Sequence, residues 1–174
     1  MSGHNKWSQI KQKKGAVDAQ RGKLFTKLVK LIKTEARVTK GDLNAPTLKA
    51  AIEKARVANM PKDNIDRSIQ SAQNTVADEK VTYEAYGPGG CALIIEGLTD
   101  SKNRTSQEMK HLLSENGLAL AAPGSASWAF TKTSEGWAPS TTIPLSEEDG
   151  MKLAGLIEEL EDNDDVQEVY TNAE

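Results

Sequence analysis

The sequence predicts an α+β protein in which an N-terminal three-helix bundle with a basic arm precedes a ferredoxin-like β-α-β-β-α-β domain with one extra N-terminal strand. Two observations predict this class. Apolar residues recur at helical spacing in the first part of the chain and alternate at strand spacing afterwards. The charge changes sign at the same place, because residues 1–75 carry 16 Lys and Arg against 6 Asp and Glu, whereas residues 76–174 carry 6 against 19. We therefore expect two domains, residues 1–75 and residues 80–174.

The basic domain is expected to hold three helices. An apolar stripe from Leu24 to Ile32 predicts the first helix, which Gly41 ends. Asn44 and Pro46 mark the start of a second helix, since Asn caps helices and Pro is favoured in the first turn. Pro61 ends the second helix and opens the third. One apolar stripe on each helix is enough to build a small bundle.

The acidic domain is expected to combine strands and helices. Residues 81–85 give the extra strand, and Gly-Pro-Gly-Gly at residues 87–90 predicts a tight turn, because the Lys-Ser/Thr of a phosphate-binding loop is missing. Capping boxes at Thr105 and Ser146 open two helices. Trp128 and Phe130 alternate on a strand, which predicts that both lie in the core. The strands that follow the turn are predicted at residues 91–98, 125–131, 137–144 and 166–171.

Composition excludes several classes of protein. The single cysteine, Cys91, rules out a disulfide framework and a multi-Cys zinc site, and His4 and His111 are too few for a His-rich metal centre. Ser125 and Ser127 have no identifiable base partner, so nucleophilic catalysis has no support. No apolar run is long enough to span a bilayer, and the basic N-terminus lacks an apolar signal core. We expect a soluble, cytoplasmic, monomeric protein with no catalytic residues, cofactor, metal, membrane contact or small-molecule substrate.

The first 40 residues carry a net charge of +9, which is typical of a surface that meets a polyanion. A solvated lysine-rich helix is the alternative. Trp7 lies among lysines in a stretch, residues 1–15, that lacks periodicity; it either stacks on an unpaired base or pins this arm onto the helical domain. The residues predicted to bind nucleic acid are Lys6, Trp7, Lys11, Lys13, Lys14, Arg21, Lys23, Lys27 and Lys30.

A second candidate site lies where the first helix of the acidic domain begins. Backbone N–H groups together with Asn103, Arg104 and Thr105 could hold a phosphate or a carboxylate there. The alternative is ordinary helix capping beside a surface arginine. The acidic runs at residues 147–149 and 158–165 lack the alternating spacing of a calcium-binding loop, so they predict no metal site.

Segments spread over nearly the whole chain carry a family resemblance. They are Ser-Gly-His-Asn-Lys-Trp-Ser-Gln-Ile-Lys at residues 2–11, Arg-Gly-Lys-Leu-Phe-Thr-Lys-Leu at 21–28, Ala-Asn-Met-Pro-Lys-Asp-Asn-Ile at 58–65, Tyr-Gly-Pro-Gly-Gly at 86–90, Thr-Asp at 99–100 with Asn-Arg-Thr at 103–105, and Asp-Asp-Val-Gln-Glu-Val-Tyr-Thr-Asn at 164–172. Together they resemble the YebC/PmpR family, which includes the mitochondrial translational activator of cytochrome c oxidase subunit I.

The resemblance implies a shortened member of that family. Typical members are longer and carry a third α/β domain inserted into the second. Here the chain passes through Ser134-Glu135-Gly136 straight to the next strand, so the missing domain would lie at this hairpin turn. The resemblance also implies a non-enzymatic protein that acts on DNA in transcription or on the ribosome in translation, in the cytoplasm or, in a eukaryote, the mitochondrial matrix.

The composition of the first helix favours one of these partners. Its exposed face is mostly lysine, which suits phosphate contact better than the reading of base edges. We therefore expect rRNA or tRNA on a ribosome as the partner. Duplex DNA is the alternative, and a protein–protein adaptor that works through the acidic domain is the second alternative.

Overall fold

The computed structural model describes residues 17–74 and 76–174, which fall into two compact units. Residues 17–74 and 76–80, together with 98–101, form a helical unit, and residues 81–97 and 102–174 form an α/β unit. Helices come first and a small antiparallel sheet with helices follows, so the predicted α+β class is confirmed.

The helical unit holds α1 (Val17–Val38), α2 (Pro46–Val57) and α3 (Lys62–Ser71). Residues in left-handed conformation let the chain reverse between them: Gly41 has a φ of 78° and Asn59 a φ of 59°. Each reversal satisfies a carbonyl in the last turn of the preceding helix, because the N–H of Gly41 donates to the carbonyl of Ala36 and the N–H of Met60 donates to the carbonyl of Ala55. The core side chains are Leu28, Ile32, Leu48, Ile52 and Ile65.

Two details of the helical prediction were wrong. Leu24 was predicted in the buried stripe but is 46% exposed. Residues four apart are offset by about 40° around a helix, so Leu24 lies to one side of the stripe formed by Leu28 and Ile32. The cap of α2 is Ala45, which makes no side-chain hydrogen bond, and not Asn44. Pro46 occupies the first turn of α2 as expected.

The α/β unit contains two helices and six strands. The helices are α4 (Lys102–Glu115) and α5 (Glu147–Asp162). The strands are β1 (Glu79–Tyr86), β2 (Ala92–Thr99), β3 (Leu120–Ala121), β4 (Phe130–Thr133), β5 (Gly136–Pro139) and β6 (Val166–Thr171). The main sheet has the order β3-β1-β2-β6, so the strand predicted as extra lies inside it. The Gly-Pro-Gly-Gly turn joins β1 to β2 as predicted, with Gly89 at a φ of 67°.

Strand alternation gives the main sheet two different faces. Leu93 and Ile95 belong to the core that also contains Met109 of α4 and Leu153 of α5. The side chains of Ala92 and Ile94, which alternate with these residues on β2, point to the other face of the sheet. There they form a second, smaller core with Ala126 and Ala129, which precede β4, and with Phe130, which begins it. We call the side of the sheet that carries this second core the helix-free face.

The predicted middle hairpin differs from expectation. Strands β4 and β5 are shorter than predicted and pair only with each other, as a separate two-stranded sheet. A 3₁₀ turn at Ser127–Ala129 occupies part of the predicted strand, and it breaks the two-residue alternation. Phe130 is therefore buried as predicted, but Trp128 is 62% exposed, so its placement in the core was wrong.

Candidate nucleic-acid interface

Most of the cationic residues of α1 lie on one face of that helix. Lys23, Lys27, Lys30 and Arg37 are separated by four, three and seven residues, so they share one face of the helix. The buried residues Leu28 and Ile32 lie on the other side. Lys23 is exposed, and Lys27 and Lys30 are half-buried. Burial of one stripe in the bundle thus orients the basic face outward.

Two threonines lie on or beside the same face. The hydroxyl of Thr26 donates to the carbonyl of Gly22 at 3.1 Å, and that of Thr34 donates to the carbonyl of Lys30 at 2.9 Å. These hydroxyl protons are engaged by the helix backbone, so the donors that this face offers are mainly ammonium and guanidinium groups. Such groups suit phosphate oxygens.

A groove of about 280 Å³ runs along this side of the unit, between α1 and the segment that follows α3. Among the described residues that line it, three are cations, Lys30, Lys33 and Arg37, and one is a carboxylate, Asp78. Its remaining lining comes from Thr26, Val29, Thr34, Val76 and Ala77. An extended, negatively charged chain would find cations along one wall of this groove.

The sequence of α1 contains two acidic residues, Asp18 and Glu35, and a cation from outside the helix pairs with Glu35. Glu35 is 4% exposed, and its Oε1 lies 2.5 Å from the Nζ of Lys80. Arg21, near the start of the helix, is exposed, and its guanidinium lies 5.2 Å from the centre of the Phe25 ring. The Glu35 carboxylate is thus paired with a cation from outside α1, and Arg21 keeps its charge at the protein surface.

The structure describes four of the nine residues predicted to bind nucleic acid: Arg21, Lys23, Lys27 and Lys30, all on α1. The other five lie outside the described residues: Lys6, Trp7, Lys11, Lys13 and Lys14. Lys33 and Arg37 also line the groove and were not among the predicted residues, although their spacing of three and seven from Lys30 is visible in the sequence.

The second candidate site holds an anion from this chain. α4 begins at Lys102, so Thr105 lies within the helix and the capping box predicted there was wrong. The buried Thr105 hydroxyl donates to Oδ2 of Asp165 at 2.7 Å, and the Nη2 of Arg104 lies 2.7 Å from the same oxygen. The Asp165 carboxylate thus occupies the position in front of these two donors. The box at Ser146 is confirmed, because its Oγ accepts from the N–H of Asp149 at 3.1 Å.

Within residues 17–74 and 76–174, no group of three or more His, Cys, Asp or Glu side chains could hold a metal ion. In the same part of the chain, no helix combines the length and the apolar character needed to cross a membrane.

Comparison with known proteins identifies the relatives of this chain. The profile of the TACO1/YebC protein N-terminal domain matches residues 5–75, and that of the TACO1/YebC second and third domain matches residues 78–135 and 132–173. A "Probable transcriptional regulatory protein" of Fervidobacterium nodosum is 38% identical over 99% of this chain and 93% of the relative. A protein of the same name from Petrotoga mobilis is 44% identical over all of this chain and 71% of the relative.

A solved structure shows the same fold. The crystal structure of the conserved hypothetical protein Aq1575 from Aquifex aeolicus has a TM-score of 0.79 and 30% identity to this chain, covering 92% of this chain and 93% of the other. The alignment with the Fervidobacterium protein extends over 235 positions, more than the 174 residues here. The two pieces of the second profile meet at the β4–β5 turn. Both facts are consistent with a shortened member that lacks an insert.

Proposed function

This chain belongs to the TACO1/YebC family, and from that premise we propose that it is a non-enzymatic, nucleic-acid-binding regulator of gene expression. The observation that carries the proposal is the basic face of α1, with Lys23, Lys27, Lys30 and Arg37 on one side of a helix whose other side is buried. Basic faces of this kind bind phosphates of nucleic acids and give salt-dependent affinity.

We favour RNA on the ribosome as the target, so that the protein acts as a translation factor. Lysines suit phosphate contact better than base readout, and the hydroxyls of Thr26 and Thr34 are bonded to the helix itself. A groove beside Lys30 and Lys33 suits an extended single strand better than it suits the insertion of a helix into a duplex groove. Five further candidate contacts remain predictions: Lys6, Trp7, Lys11, Lys13 and Lys14.

DNA-dependent regulation of transcription is the second candidate, because the relatives are named as transcriptional regulatory proteins. It predicts preferred duplex sequences, whereas the favoured function predicts co-sedimentation with ribosomal particles. A third possibility, an adaptor that uses the acidic unit alone, predicts no nucleic-acid binding by the whole chain.

Binding titrations with matched charge variants test the interface. K23A/K27A/K30A removes three cations from α1, and K102A/K110A/K152A removes three from the α/β unit. If each α1 lysine neutralises one phosphate, the first variant should reduce the slope of log K against log salt by about 2 to 3, for RNA and DNA alike. The control should leave the slope unchanged. Equal losses in the two variants would contradict the proposed interface.

Sedimentation of a cell lysate on a sucrose gradient separates the two candidate functions. We expect the protein in the ribosomal fractions at low salt and its release at high salt, since the contacts are electrostatic. Recovery only in the light fractions, combined with tight binding to one duplex sequence, would favour transcription instead.

A further inference from the structure

Two exposed aromatic rings meet at the end of β1 in the α/β unit. Trp128 is 62% exposed and Tyr86 is 39% exposed. The indole Nε1 of Trp128 donates to the Tyr86 hydroxyl at 3.1 Å, and that hydroxyl donates to the carbonyl of Ser125. The polar atoms of both side chains therefore have partners within the chain, so the two residues present aromatic ring surface to solvent. Tryptophan is seldom exposed to this extent.

The loop that carries Trp128 is held in place by a buried carboxylate. Glu84 of β1 is 9% exposed and accepts the N–H groups of Gly124, Ala126 and Ser127 at 2.7 to 2.8 Å. Three charge-assisted hydrogen bonds fix the backbone on both sides of Ser125. The aromatic pair thus sits on a preorganised loop, which lowers the entropy that a partner must overcome to bind.

The helix-free face that this loop covers is aromatic and acidic. Trp137 of β5 donates its Nε1–H to Oε1 of Glu96 at 2.8 Å. The Nζ of Lys132 lies 5.2 Å from the centre of the Trp137 ring. Burial raises the pKa of the Tyr170 hydroxyl, and the nearby Glu168 and Glu96 carboxylates raise it further. The ring of Trp137 is therefore already in contact with a cation, Lys132, and the carboxylates of Glu96 and Glu168 favour positive charge on this face.

We propose that Trp128 is a docking point for a basic protein segment, whose arginine side chain stacks on the exposed indole. Residues 76–174 have a net charge of −13, so this part of the chain attracts a basic segment. A guanidinium gains from the indole face and from attraction to the negative net charge of the acidic part of the chain. A nucleic-acid strand gains only from stacking, since its phosphates are repelled. The proposal stands independently of RNA binding by α1.

Nuclear magnetic resonance of the full chain tests this proposal. The indole N–H signal of Trp128 is assigned by its loss in W128F, and the signal of Trp137 serves as the internal control. The probes are an acetylated tetra-arginine peptide, its tetra-citrulline counterpart, which keeps the shape without the charge, and an octa-uridylate.

We expect the tetra-arginine peptide to shift the Trp128 signal in a saturable way while the Trp137 signal stays in place and the citrulline peptide has no effect. W128A should weaken the affinity for tetra-arginine about two- to fivefold, the range measured for cation–π contacts at exposed sites. Binding that is unchanged in W128A would overturn the proposal. A Trp128 shift caused by octa-uridylate and not by tetra-arginine would also overturn it, and would assign the ring to base stacking.

Discussion

Replacing Glu84 by glutamine should strongly destabilise the α/β unit. The carboxylate accepts three backbone N–H groups that lie 40 to 43 residues away in sequence. An amide offers one accepting oxygen and turns its NH₂ towards the remaining donors, so at least one buried N–H loses its partner. Hydrogen bonds to charged groups contribute about 1.5–3 kcal/mol each, and an orphaned buried donor costs a similar amount. We expect E84Q to lower the free energy of unfolding by about 2–5 kcal/mol at pH 7.

The effect of E84Q should depend on pH in a defined direction. Burial by itself raises the pKa of Glu84, but the backbone hydrogen bonds from Gly124, Ala126 and Ser127 outweigh it, so the pKa lies below the ordinary value of 4.5. A carboxyl whose pKa is lower in the folded state stabilises the protein fully above its unfolded pKa and loses that contribution as the pH falls towards its folded pKa. The stability difference between the wild-type chain and E84Q should therefore shrink below pH 4.5.

Urea denaturation measures this difference. In a W7F background, the tryptophan fluorescence comes from Trp128 and Trp137, both in the α/β unit. E135Q at the exposed tip of the β4–β5 hairpin is the matched control and should change the stability by less than about 0.5 kcal/mol. A loss for E84Q no larger than that of E135Q, or a difference that does not vary between pH 7 and pH 3.5, would refute the assigned role of the Glu84 carboxylate.

Three further substitutions probe other positions. D165A removes the acceptor shared by Arg104 and Thr105 and should destabilise the α/β unit by about 1.5–3 kcal/mol in the same urea assay, whereas a neutral effect would show that this carboxylate does not tie α4 to the chain before β6. G136A places a Cβ against the Tyr170 ring at a φ of 122° and should cost more than about 1 kcal/mol, so an unchanged urea midpoint would contradict that contact. W7A should weaken single-stranded RNA binding by about 1–3 kcal/mol if Trp7 stacks on a base; a loss of stability of about 3–5 kcal/mol with RNA affinity intact would show that it packs on the helical domain.

Features that depend on neighbouring residues along the chain could be predicted from the amino-acid sequence. Helical spacing of Leu28, Leu48 and Ile65 predicted the three helices and their buried sides, and each of these residues lies in the core. The Ser146 cap was predicted correctly for the same reason, because it rests on an interaction within a few residues. Gly41 lies in the left-handed turn that ends α1, but Lys40 takes the first left-handed position after the helix, one residue before the position predicted. The basic face of α1 follows from the same spacing. The lysines in the first 16 residues stay a prediction.

Contacts between distant parts of the chain became visible only in the folded protein. Nothing local indicates that Glu84 meets the loop before β4, that Arg104 and Thr105 meet Asp165, or that the β4–β5 hairpin stands apart from the main sheet. Trp128 and Phe130 have the spacing of two residues on one face of a strand. Because of the 3₁₀ turn, Phe130 lies in the core and Trp128 lies in solvent. Periodicity reports which residues of one element share a face. The pairing of distant groups depends on how the elements pack against one another, and the residue pattern of a single segment does not predict that packing.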